Sequence, residues 1–131
     1  MHRLRSVAAE RGSSTVEFAL VLPLVFTVTL GLVQVGLLAR DRLLVEAAAR
    51  AGARAAAVEP DPAAIEGAAL RAAPGLDPVT TAISVSREGA RGLPVTVQVD
   101  YDDAIRVPFV GWLLGGSVRI SATAVMRQEF G

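Results

Sequence analysis

From Phe18 to Ala39 the chain reads FALVLPLVFTVTLGLVQVGLLA, 22 residues whose only polar members are the uncharged Thr27, Thr29 and Gln34. At about 1.5 Å per residue, a helix of this length matches the ~30 Å hydrocarbon core of a bilayer. The run therefore predicts one transmembrane helix. Pro23 lies inside it, where its missing N–H removes a backbone hydrogen bond and bends the helix. Membrane helices tolerate this when local rearrangement satisfies the freed carbonyl. Beyond Ala39, the segment RDRLLVEAAARAGARAAAV has no proline and abundant alanine, so the helix is expected to continue out of the membrane to Val58. From Ser13 it would be roughly 70 Å long. Arg42, Glu46, Arg50 and Arg54 recur every four residues as a charged ridge, with Glu46 ahead of Arg50 in the favourable order. The other faces are almost all alanine, with Gly52 among them. Such a face lets another helix or a sheet approach closely, although the same alanine content also follows from a GC-rich genome.

Pro60-Asp61-Pro62 ends that helix, because each proline restricts the residue before it. A short helix from Ala63 to Ala73 is expected next, closed by Pro74-Gly75. The period then changes to two. Val79, Thr81, Ile83 and Val85 alternate with Thr80, Ala82, Ser84 and Ser86; Val95, Val97, Val99 and Tyr101 alternate with Thr96, Gln98 and Asp100. A third segment sets Val118, Ile120, Ala122, Ala124 and Met126 against Ser117, Arg119, Ser121 and Thr123. Three such segments predict a small antiparallel sheet with one face in water. Its apolar face needs a cover, and the alanine-rich helix is the candidate, which makes the fold class α+β. Between the second and third strands, Val107 to Gly116 is the most apolar stretch outside the span. It is too short to cross a bilayer. Either it folds back over the sheet edge, or Phe109, Trp112 and Leu113 form an exposed patch that meets a partner or the membrane surface.

Composition narrows the chemistry. Basic and acidic residues balance at 13 each, all the bases being arginine, so net charge gives no argument for nucleic acid. Cysteine is absent and His2 is the single histidine, which removes disulfides, Cys or His metal sites and His-based catalysis. No catalytic residue, metal or cofactor is expected. Asp100, Asp102 and Asp103 cluster at a strand end, where a solvated terminus is favoured over a cation site, since a hard cation needs more oxygen ligands at set spacing.

The one contested residue is Glu17, at the head of the apolar run. Ser14-x-x-Glu17 fits a capping box, and a negative charge suits a helix N-terminus. Alternatively, a cut after Gly12 would leave an α-amine on Ser13, with an ordinary pKa of about 7.7–8.0. In a low-dielectric setting that cation and the Glu17 carboxylate of a neighbouring subunit would neutralise one another and set register. Residues 1–12 carry Arg3, Arg5 and Arg11 against Glu10, like the charged head of an export signal. Arg40, Arg42, Arg50 and Arg54 follow the span, so arginine bias alone does not orient it; the short leading tail favours the N-terminus inside.

Gly12-Ser13-Ser14-Thr15-Val16-Glu17-Phe18 resembles the class III prepilin peptidase site of type IV pilin-like proteins: a glycine, glutamate five residues on, then an apolar helix. With Pro23, the Ala47 to Ala55 segment and a C-terminal strand from Leu114 to Arg127, the chain is similar to the TadE-like pseudopilins of the tight-adherence (Flp) pilus system. Residues 59–91 carry no part of the resemblance. It implies a leader over 1–12, a transmembrane helix over 13–39 and an extracytoplasmic α+β domain over 40–131. It further implies cleavage between Gly12 and Ser13 by a membrane prepilin peptidase, leaving 10 basic and 12 acidic residues. The protein would be a non-enzymatic substrate in the inner membrane. Its implied partners are that peptidase, other pilins or pseudopilins, the Tad assembly platform and the lipid bilayer. Phe18 stands where the major Flp pilins carry tyrosine, which favours a minor pilin. The competing reading is an anchored or secreted binding module whose sheet and Phe109–Leu114 loop contact a ligand; ordinary signal peptidase cuts after an apolar run, prepilin peptidase before it.

Overall fold

The computed structural model describes residues 3–106, 111–112 and 115–130, with side chains of the first helix from Ser14 onward. That helix, α1 (Arg3–Val58), is unbroken through Pro23 and through the Gly12-Ser13 pair. Helix α2 (Pro62–Ala72) follows, then a 3-10 turn (Pro78–Thr80) and strands β1 (Thr81–Arg87), β2 (Pro94–Ala104) and β3 (Ser117–Arg127). The α+β class and the three strands stand as expected. Two local expectations change. Because α1 begins ahead of Ser13, Ser14 and Glu17 lie inside a helix in the uncut chain and do not form its N-cap. Val79 belongs to a turn instead of β1: the Asp77 side chain accepts from the Val79 backbone N at 2.9 Å, bending the chain just after Asp77.

Helix α2 starts where its sequence allows. Asp61 is the N-cap, its side chain accepting from Ala63 N at 3.1 Å, and Pro62 occupies a first-turn position where no N–H is needed. The sheet has the order β1-β2-β3, antiparallel throughout. Val97 pairs with Val85 and Ala124, Val99 with Ile83 and Ala122, and Tyr101 with Thr81 and Ile120. This register puts Val95, Val97, Val99 and Tyr101 of the central strand on one face, where they are buried.

A stripe on α1 made of Asp41, Val45, Ala48, Gly52 and Ala56 is buried in the chain. The spacing of four, three, four and four keeps these residues on one side of the helix. Gly52 lies where α1, α2 and β2 meet: a Cβ there would stand 3.0 Å from Val97 Cγ1 and 3.4 Å from Ala69 Cβ. The small-residue face is thus a packing surface, and the charged ridge stays outside, with Glu46 bridging Arg42 at 3.4 Å and Arg50 at 3.5 Å. Because Gly52 meets Val97 while the carboxyl of Asp41 meets that of Asp103, β2 runs back along α1 toward the apolar span.

The far end of α1 is closed by Arg87. Its guanidinium donates to Ala56 O at 2.8 Å, to Glu59 O at 2.9 Å and to Gln128 Oε1 at 3.2 Å, and stacks 5.0 Å from the Phe130 ring centre. A cation satisfying the last carbonyls also complements the negative end of the helix.

Two substitutions test this packing in the full chain held in detergent. Gly52→Leu is expected to lower unfolding stability by about 1–3 kcal/mol through overpacking. Arg87→Ala is expected to cost roughly 1.5–3 kcal/mol through lost charged hydrogen bonds, with Arg87→Lys recovering only part. Denaturant midpoints check both; wild-type midpoints would contradict the geometry.

Candidate functional site

Three groups of residues stand out along α1. At its head, Glu17 and Phe18 are both exposed, and the exposure continues through the apolar run. Leu20, Leu24 and Leu32 each leave more than half their surface uncovered by the chain. The run is helical, and none of the described residues packs on it as far as Val33. Its hydroxyls are internally satisfied: Thr27 Oγ1 donates to Pro23 O and Thr29 Oγ1 to Val25 O, each at 2.8 Å. That removes their polar cost in an apolar medium. Pro23 leaves the carbonyl of Ala19 without its usual donor four residues on. The helix in this form is a continuous apolar rod with one carboxylate near its head.

Gly12 and Ser13 are consecutive residues of the α1 backbone. Glu17 and Pro23 share the helix, separated by about 9 Å along its axis at the standard rise. Trp112 sits at the other end of the span, in the β2–β3 connection, and is 85% exposed, which argues against burial of that indole under the sheet. Phe109 and Leu113 lie outside the described residues. Trp112 and the Gly12–Phe18 segment therefore lie at opposite ends of the span.

A third group was not evident from the sequence. Asp41 on α1 and Asp103 on β2 are 1% and 2% exposed, where the whole acidic cluster was expected to be solvated. The correction has a simple cause. Asp103 continues the parity of Val95, Val97, Val99 and Tyr101, so it points at the helix, whereas Asp100 and Asp102 point away and take Ser121 and Arg119 as partners. Asp41 likewise lies on the stripe of Val45 and Ala48, off the charged ridge. Arg40 reaches Asp41 at 3.3 Å and Arg106 approaches Asp103 at 3.9 Å, yet Oδ2 of Asp41 and Oδ1 of Asp103 accept no hydrogen bond. Burial raises the Asp103 carboxyl above its ordinary 3.8, the Asp41 charge raises it further, and Arg106 opposes the rise. The two carboxyl groups are within hydrogen-bonding reach, and a bond between them requires one to keep its proton. Gln34, two turns before Asp41 and inside the apolar run, is also buried with both amide atoms unpartnered. Among the described residues no group of three or more His, Cys, Asp or Glu could hold a metal.

The bare apolar helix and the domain packed on its far half define a class: a single-pass membrane anchor carrying an α+β domain. Residues 12–54, about a third of the chain, are similar to the family described as TadE-like protein. The matched segment holds the Gly12–Phe18 motif, the whole span and the alanine-rich turns as far as Arg54; it ends before the sheet. The match suggests a place in the tight-adherence pilus system, and such proteins are typically structural. No curated protein and no solved structure matches the chain.

The buried acid pair sets a pH dependence. Since the folded chain binds the Asp103 proton more tightly than the unfolded chain, the contribution of this group to stability is fully present below the ordinary carboxylate value of 3.8 and is lost as pH rises through the elevated folded value. Asp103→Asn keeps a donor beside Asp41 and removes that titration. Denaturation of the two proteins between pH 4 and 7 is expected to show the variant gaining on wild type as pH rises; parallel curves would contradict the pairing.

Proposed function

We propose that the chain is a prepilin-like subunit, a minor pilin or assembly pseudopilin, cut between Gly12 and Ser13 by a membrane prepilin peptidase and acting in assembly of a Flp pilus. The observation that carries this reading is the order of features inside the TadE-like match: Gly12, then Glu17, then an apolar helix that the described residues leave uncovered. The leader would stay in the cytoplasm, with residues 40–131 outside and the rod in the inner membrane.

The physical chemistry of each step supports it. A peptidase needs an extended substrate strand, and Gly12 is the residue of this segment that leaves a helix at least cost, about 1 kcal/mol below alanine in helix propensity. Once cut, Ser14 and Glu17 would stand at a true helix start and could form the capping box that the uncut helix precludes. The new α-amine of Ser13 and a Glu17 carboxylate from an adjacent subunit are opposite charges brought into an apolar bundle, and each offsets the desolvation of the other. An error in register would leave both unpaired. The exposed apolar surface from Val16 to Val35 offers one side to lipid before extraction and to other pilin helices after it.

The processing site discriminates this reading from an ordinary anchored binding module. N-terminal sequencing of the protein from membranes is expected to begin at Ser13; an intact Met1, or a start near residue 40, would overturn it. Glu17→Ala is expected to be cleaved normally and to lose assembly by an order of magnitude or more, a factor of ten being about 1.4 kcal/mol. Immunoblotting of sheared fibres against membrane fractions reads both, and assembly equal to wild type would remove Glu17 from the mechanism.

A further inference from the structure

The apolar rod is too short to span a bilayer by its bare portion alone. From Gln34 onward the stripe of α1 is covered, Gln34 being 2% exposed and Leu38 half-buried. The uncovered apolar run, Phe18 to Val33, is sixteen residues, about 24 Å against a hydrocarbon core of ~30 Å. The remaining apolar residues, up to Ala39, run alongside the domain: Val35, Leu38 and Ala39 line one groove with Val118 and Ile120. A helix that fills the core therefore brings the near end of the domain to the membrane surface.

That end has a definite composition. Because β2 runs back toward the span, that end holds Ile105, Gly111 and Trp112, the first two in contact, and the α2–β1 connection, where Gly75 lies against Arg40 and Leu44. The two most exposed large apolar side chains among the described residues are both there: Val79 at 91% and Trp112 at 85%. Val79 is held on a tied turn, with Asp77 Oδ1 accepting from Val79 N and Thr81 Oγ1 donating to Asp77 O at 2.7 Å. Of the nearby arginines, Arg42 pairs with Glu46 and Arg119 with Asp102, while Arg40 and Arg106 both approach the Asp41–Asp103 pair. This rim offers apolar and aromatic surface, which suits the interfacial layer where tryptophan is enriched.

We propose that this rim, through Trp112 and Val79, is seated in the interfacial layer of the same bilayer that α1 crosses, as a second point of attachment that orients the domain. The proposal rests on the single-pass anchor reading and is independent of any role in a fibre. A domain held at one helix alone would swivel about it; a second contact removes that freedom. Extraction of the rod would then also require withdrawal of the rim.

Trp112 is the only tryptophan of the chain, so its emission reports the site directly. The full chain is reconstituted in phosphatidylcholine vesicles, and insertion is checked by resistance to alkaline carbonate. Blue-shifted emission, strong quenching by lipids brominated near the headgroup and iodide quenching several-fold weaker than for free tryptophan amide are expected. Val79→Trp in a Trp112→Phe background is expected to report the same depth. Carbonate-resistant protein whose indole emits as in water and ignores brominated lipid would overturn this proposal alone; loss of carbonate resistance would overturn the anchor reading and this proposal with it.

Discussion

The contact on which the structure depends is the close approach of α1 to β2 at Gly52, where there is no room for a methyl group without displacement of Val97. A helix that must also cross a bilayer cannot offer large side chains on every face and still be matched to a small sheet. Alanines and one glycine let three short strands and an eleven-residue helix share a core whose largest fully buried apolar residues are Ile65 and the valines at 45, 95, 97 and 99. Each of these buries modest area, so orientation relies on polar ties at the two ends of the seam. Arg87 closes the far end against the last carbonyls of α1, and the Asp41–Asp103 pair closes the end beside the span.

One element therefore does two jobs. The first half of α1 presents apolar side chains outward, and the second half turns one stripe inward to the sheet while its ridge of arginines and Glu46 remains in water. No flexible linker separates anchor from domain, since α1 is helical from Arg3 to Val58. Movement of the helix along its axis would carry the domain with it. In the proposed pilin role, that rigidity lets register set at Glu17 be transmitted to the outer domain.

Much of this was legible in the sequence, and the misses share one origin. The span, the continuation to Val58, the proline-bounded second helix and the three strands were each written in periodicity or in breakers, and local chemistry dominated there. Asp41, Asp103 and Gln34 were obscured because residue type was read before position: the same alternation that places Tyr101 inward places Asp103 inward, and the same helical stripe that buries Val45 buries Asp41. Val79 fits the strand pattern, but the Asp77 side chain captures its N–H and makes a turn. Nothing in the local pattern singles out Arg87, because its partners, the carbonyls of Ala56 and Glu59, lie about thirty residues earlier in the chain. Only tertiary structure brings them within reach.

The central claim is that α1 is a single rigid element shared by membrane and domain. Hydrogen–deuterium exchange of the full chain in bilayers tests it most directly. If the claim holds, amides from Val45 to Val58 exchange as slowly as those of Val95 to Tyr101 and open together with them as one cooperative unit. Rapid exchange from Val45 to Val58, beside a protected sheet, would mean that the helix leaves the membrane without its domain attached and would contradict the account.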